Sequence, residues 1–176
     1  MSQVAYEIDS AHTSAHFSVR HLMVSNVRGE FTKITGTIRY DPENPAASSV
    51  DATIDASSIH TRDDQRDGHL KSAEFLDVQK IPSLIFRSKQ VEPRQDGGKV
   101  KGDLTIHGVT REIVLDVEDL TPEVSDPWGK QRIGGSATTK LSRKDFGITW
   151  NSALESGGVM IGDEVKITIE FEAVRG

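Results

Sequence analysis

Three histidines near the start of the chain, His12, His16 and His21, are the side chains best suited to holding a metal ion or moving a proton. Their spacing argues against a shared ion. A four-residue step would join His12 and His16 on a helix, but Phe17 and Val19 alternate with Ser18 and Arg20, which is the pattern of a strand. Four residues of strand span roughly 13 Å, too far for two imidazoles on one metal. His16 and His21 differ in parity and are expected on opposite faces. Each reads as a hydrogen-bonded strand histidine, with His21 in step with Phe17 and Val19 as a candidate polar contact on the inner face.

Other chemistry is equally sparse. The chain has no cysteine, which excludes disulfides, thiolate metal sites and thiol nucleophiles. Ser142 stands beside charges in Ser142-Arg143-Lys144-Asp145-Phe146-Gly147, outside any Gly-x-Ser-x-Gly frame. Gly157-Gly158 and Gly162 do not open a helix after a strand, so they imply no phosphate cradle. Asp63 and Asp64 lie in a polar run that reads as a solvated helix start. Arg62, Arg66 and Lys71 are ordinary surface charges singly; together they could neutralise the polar head of a ligand whose tail is buried.

The elements that must position these groups are strands. Val50, Ala52, Ile54 and Ala56 alternate with polar residues, as do Val165, Ile167, Ile169, Phe171 and Ala173. Ile113, Leu115 and Val117 repeat the pattern, with Val114 the one apolar residue on the polar side. Adding Phe17–Val19, Ile38–Tyr40, Leu84–Phe86, Leu104–Ile106 and Ala137–Leu141 gives about eight strands. Turn-rich breaks at Asp41-Pro42, Asp96-Gly97-Gly98 and Asp126-Pro127-Trp128-Gly129 separate them, so neighbours pair antiparallel. The fold class is therefore all-β, an eight-stranded antiparallel barrel forming a single domain over residues 1–176. Residues 61–80 lack the alternation and predict one or two short helices, broken near Gly68 and Ser72, covering a barrel mouth.

An eight-stranded barrel can be packed solid or admit one small ligand. Here Ala52, Ala56, Ala137, Thr139 and Ala173 occupy inward positions, and only 6% of residues are aromatic. Small side chains must be met by large ones or leave space, so a hollow interior and a solid one both stay open. The formal charge of −6, from 21 basic and 27 acidic residues, opposes nucleic acid and the anionic face of a membrane, though a small positive patch could exist locally. No apolar run is long enough to span a bilayer. Met1-Ser2-Gln3-Val4-Ala5-Tyr6-Glu7 has neither a basic leader nor an apolar segment, so the expected location is cytoplasmic.

Several short runs, weak singly and specific in this order, resemble the YceI-like family of lipocalin-like polyisoprenoid-binding proteins. They are Tyr6-Glu7-Ile8-Asp9 with His12; His16-Phe17-Ser18-Val19-Arg20-His21; Gly29-Glu30-Phe31 with Gly36; Ile59-His60-Thr61; and Arg66-Asp67-Gly68-His69-Leu70-Lys71-Ser72 with Phe75. Ile81-Pro82-Ser83-Leu84-Ile85-Phe86-Arg87-Ser88, then Gly102-Asp103-Leu104-Thr105-Ile106-His107-Gly108-Val109-Thr110, then the run from Ser142 to Ile148, complete the set. The resemblance implies a lipocalin-like barrel with a helical segment near its opening. It also implies a lumen that takes a long chain such as a polyprenyl phosphate or isoprenoid quinone, with fatty amides in some relatives. It further implies pairing into a homodimer, and it offers no catalytic residues to transfer. Many relatives carry an export leader, from which this sequence departs.

A prenyl tail offers only apolar surface, so its affinity should scale with area removed from water. The expected wall comprises Phe17, Val19 and Phe31 in the first third of the chain, with Ile38 and Ile54. Leu84, Phe86, Leu104, Ile106 and Leu115 continue it, and Ile148, Trp150, Ile167 and Ile169 close it. His21 and Arg66 are expected to supply polar contacts. No cofactor, catalytic residue or metal ligand is expected. The leading function is non-catalytic carriage, storage or sequestration of a long-chain lipid. The alternatives are a metal-dependent or acid–base enzyme using the histidines and acids of the helical cap, and a solid interaction module.

Overall fold

The computed structural model describes residues 3–151, 154 and 160–176, so Gly157 and Gly158 lie outside the described residues. Strands form where side chains alternate. In chain order they are β1 (Val4–Ile8), β2 (Ser14–His21), β3 (Ser25–Phe31), β4 (Ile34–Tyr40), β5 (Ser49–Asp55) and β6 (Ile59–His60), then, after helix α1 (Asp64–Lys71), β7 (Ser83–Arg94), β8 (Gly97–Ile106), β9 (Val109–Glu118), β10 (Val124–Ser125), β11 (Gln131–Ser142) and β12 (Ile161–Arg175). Hydrogen bonding runs β11-β9-β8-β7-β5-β4-β1-β12, and β12 returns to β11. The result is a closed ring of eight antiparallel strands, as the alternation predicted.

The remaining short strands are continuations. β1 and β2 run along the same edge of β12, one after the other, separated by a tight turn at Ser10–His12. β3 follows β2 as β4 follows β1, and β6 extends the line of β5. The three interruptions lie side by side and are stitched together. Ser10 Oγ accepts from the Ile34 N–H, while Ser58 Oγ accepts from the Thr32 and Lys33 N–H groups, each at 3.2 Å. These hydroxyls replace the ladder bonds that the bend removes.

Two-residue loops make the tight hairpins. His107 and Gly108 both adopt positive φ (55° and 73°) between β8 and β9, the twist such loops require. Between β7 and β8 the loop falls at Gln95-Asp96, with Asp96 at φ 59°. A register shift between Ser88 and Gln90 inserts an extra residue in β7. Leu84 and Phe86 face inward before it and Val91 after it, a change of parity that strict alternation does not anticipate.

The cap differs from expectation in two respects, its helix and its place, since it lies at the end of the ring opposite the opening of the larger cavity. A single helix forms, and Gly68 sits inside it rather than breaking it, since glycine in a helix interior costs only about 1 kcal/mol relative to alanine. Ser72 does end the helix, as its C-cap. Asp63 is the N-cap, accepting from the Gln65 and Arg66 N–H groups, the solvated start foreseen for Asp63-Asp64. With only Leu70 apolar in the helix, polar links hold it. Buried Asp67 accepts from the Thr61 N–H at 2.9 Å, and Arg66 donates to Thr61 Oγ1 and Thr61 O.

Three phenylalanines sit over inward-facing glycines of a neighbouring strand. A Cβ at Gly29 would approach Phe17 Cζ to 2.5 Å, one at Gly102 would approach Phe86 Cζ to 2.6 Å, and one at Gly135 would approach Phe171 Cζ to 2.9 Å. The rings thus occupy volume that a side chain would otherwise fill. Replacing Gly29 by alanine should force Phe17 out of place and cost about 1–3 kcal/mol by overpacking. The shift is readable as a lower urea midpoint, and an unchanged midpoint would show that the ring has room to spare.

Candidate ligand-binding site

The ring encloses a cavity of about 920 Å³, at the upper end of the ~300–1,000 Å³ common for small-molecule sites. Its wall is largely apolar along the inward rows of the eight strands of the ring. Small side chains at Ala52, Ala137 and Thr139 stand where larger ones would fill it. Ala56 and Ala173, also expected inward, are instead closely packed and do not line it. The mouth lies at the end formed by Pro42–Ser48, Arg94–Gly98 and Leu120–Glu123. At the opposite end a second cavity, about 230 Å³, lies under the cap, bounded by α1, the 143–150 segment and the start of β12.

Phe17, Phe31, Leu84, Ile106 and Ile167 line both cavities and so form the waist between them. The rings of Phe17 and Phe31 meet there with centroids 5.7 Å apart. Ile38, Ile54, Phe86, Leu104, Leu115 and Ile169 line the larger cavity. Val19, His21, Arg66, Ile148 and Trp150 line the smaller one. Arg66 alone of the three cap cations reaches a cavity; Arg62 and Lys71 do not, and the Arg66 guanidinium is already committed to Thr61.

Sequence reasoning missed other wall residues. Tyr6 and Ile133 are buried beside Ala173 and face the larger cavity. Tyr6 donates its hydroxyl to Glu123 at the mouth, and burial together with that carboxylate pushes the phenol up to about 12. Val91 was hidden by the bulge. Arg143, buried beneath the cap, donates from Nε to Gly162 O (2.8 Å), from one terminal nitrogen to Ile148 O and Trp150 O (both 3.1 Å), and from the other to Ile161 O (3.4 Å). It fastens the 143–150 segment to β12. Burial lowers its pKa, partly offset by the Asp163 carboxylate. Its place among Ser142, Lys144 and Asp145 made it look like one more surface charge.

The histidines do not converge. His16 meets Ser14 Oγ (2.8 Å) and faces Glu30 (3.8 Å), and His60 faces Asp67 (3.6 Å). His69 lies edge-on between Phe75 and Trp150, with centroids 4.9 and 4.8 Å away. Among the described residues one group, Asp9, His12 and Glu172, is close enough to share a cation, and it lies away from the cap. A protein cation already sits there: Arg132 donates to Asp9 (2.8 Å), Glu172 (2.7 Å) and Asp126 (2.7 Å). The hydrogen bond from Arg132 holds the Asp9 and Asp126 carboxyls below the usual range, and the bond to Asp9 raises His12. Among the described residues of the cap, no three metal-ligating side chains come close enough to share a cation.

Fold and cavity together define a lipocalin-like barrel, a closed eight-stranded antiparallel ring around an apolar lumen. The YceI-like domain matches residues 6–173, and the chain belongs to that family. A UPF0312 protein of Vibrio cholerae is 44% identical over 146 residues, covering 81% of this chain and 77% of the relative. The crystal structure of a Campylobacter jejuni YCEI protein is 34% identical with a TM-score of 0.74, covering 89% of this chain and 90% of its own. A polyisoprenoid binding domain from Saccharophagus degradans, implicated in plant cell wall breakdown, shares the fold at 15% identity, with a TM-score of 0.67 over 98% of this chain and 99% of its own.

The Arg132 cluster sets a pH dependence. Asp9 and Asp126 titrate lower folded than unfolded, so their contribution is complete above roughly pH 4 and fades as pH falls through their depressed values. His12 is raised, so its contribution runs the other way, present below roughly pH 6.5 and lost above its folded value. Urea midpoints measured from pH 5 to pH 2.5 should fall less steeply for Arg132→Ala than for the wild type. Parallel acid limbs would show that the cluster adds nothing.

Proposed function

We propose that the protein binds a long-chain amphipathic lipid, a polyisoprenoid or isoprenoid quinone, inside the barrel without transforming it. The observation that carries this reading is the apolar lumen of about 920 Å³ with its mouth at one end of the ring. The polyisoprenoid-binding Saccharophagus degradans domain with the same fold supports it. Each buried methylene is worth about 0.8 kcal/mol before costs, so the tail supplies the affinity and the wall residues determine it. The charged groups at the ends are already engaged: Arg66 with Thr61, Arg175 with Glu123, Arg94 with Asp116. They orient a head group more than they hold it.

Organic extraction of the purified protein followed by mass spectrometry should release a long-chain lipid in near-stoichiometric amount. Delipidated protein should take up prenyl chains more tightly as they lengthen, until the lumen is full. Ala137→Phe, which places a ring in the lumen, should lower uptake more than tenfold while the melting temperature holds. A lipid-free protein that takes up neither prenyl nor fatty chains would overturn the reading.

A further inference from the structure

The loop joining β2 to β3 is built from Leu22, Met23 and Val24, and they are 39%, 53% and 71% exposed. Leu22 and Met23 both adopt positive φ (53° and 61°), a conformation that favours asparagine and glycine and is strained for side chains of this size. The turn itself therefore gains nothing from these residue types. The loop is nonetheless fixed in place: the Leu22 N–H donates to Met160 O at 2.7 Å, and the Val24 N–H to His21 O at 3.0 Å.

A second observation lies on the outer face just below this tip. Lys140, Lys166, Ser18 and Arg28 stand in register across β11, β12, β2 and β3, all pointing away from the lumen. Lys140 and Lys166 are direct cross-strand partners, a like-charge pair that disfavours the sheet. Arg20 lies on the same face, one outward step closer to the tip, and reaches Met23 O at 3.4 Å. Among the described residues these four cations make no ion pair, although the chain carries a net charge of −6 and Glu164 shares the face.

We propose that this corner is a peripheral membrane anchor, in which the Leu22–Val24 tip enters an anionic bilayer and Arg20, Arg28, Lys140 and Lys166 meet its phosphates. Apolar insertion beside unneutralised cations is the pairing that interfacial attachment requires. A three-residue tip is far too small for the roughly 800 Å² per partner that a stable protein interface buries, which disfavours a second copy as its occupant. His21, Val27 and Met160 line the smaller cavity, so attachment would hold the cap end of the barrel against the membrane. Attachment stands on the tip and the cations alone; its use in lipid exchange rests on the function proposed above.

The test is co-sedimentation with vesicles of phosphatidylcholine alone or with one third phosphatidylglycerol. Wild type should bind the anionic vesicles at least tenfold more tightly and release them in high salt. Leu22→Asn, Met23→Gly and Val24→Thr together give the turn residues it favours, so the fold should hold while binding falls more than tenfold. Lys140→Gln with Lys166→Gln should weaken binding without lowering the melting temperature. Trp128, 80% exposed at the far end of the barrel, serves as control, and Trp128→Ala should bind as wild type. Ala137→Phe should lose lipid uptake yet keep attachment, which separates this proposal from the lipid-binding one. Equal binding by wild type and the tip variant, binding that depends on Trp128, no binding to either vesicle, or a tip variant that instead changes from dimer to monomer on gel filtration would each overturn it.

Discussion

An eight-stranded barrel is poised between a solid core and a container, and the outcome depends on how its largest side chains are disposed. Here three of the six phenylalanines lie across inward-facing glycines of the adjacent strand, at Phe17–Gly29, Phe86–Gly102 and Phe171–Gly135. The rings cover apolar area that would otherwise face the lumen as bare backbone. Alanine and threonine at Ala52, Ala137 and Thr139 leave the space opposite open. The wall is thus well packed and the interior is not, a combination that a uniform set of leucines and isoleucines would not produce.

Polar interactions are kept to the ends and the outside. At the cap, Thr61, Arg66 and Asp67 satisfy one another, so that a helix with almost no apolar stripe is held over the second cavity, while Arg143 beneath it satisfies backbone carbonyls of the 143–150 segment and β12. On the outer wall, Arg132 gathers three carboxylates from separate parts of the chain, tying the turn after β1 to β12 and to the loop before β11. No buried side-chain nitrogen or oxygen among the described residues lacks a partner. The lumen itself is left to apolar surface.

Alternation made most of this legible. Wherever one face of a strand met the lumen and the other met water, parity assigned the wall, and Phe17, Ile54, Leu104, Ile167 and Ile169 lie where parity placed them. Legibility failed where backbone geometry broke the period. The extra residue near Lys89 concealed Val91, and the aligned interruptions at Ser10, Thr32 and Ser58 divide long strands of which alternation showed only one part each, leaving β1, β3 and β6 unread. Gly68 misled because a propensity is only a prior: eight residues of helix anchored by Asp63 and Asp67 tolerate one glycine. Arg143 was unreadable for a different reason. Its role depends on carbonyls at 148, 150, 161 and 162 that meet it only after the chain has folded. The hollow interior could not be decided from residue sizes, since it rests on which aromatic ring meets which glycine.

The last strand is also the seam. β12 pairs with β11 along its length on one edge and with β1 and then β2 on the other, so strands far apart in sequence meet there. During synthesis the strands before β12 can form hairpins as they emerge, but the ring has two bare edges until residues 161–175 leave the ribosome. A partly made chain therefore exposes both a greasy inner face and unpaired backbone, the state most prone to joining another nascent copy. Closure depends on contacts between sequence-distant segments, so the enclosed lumen first exists when β12 has joined both edges.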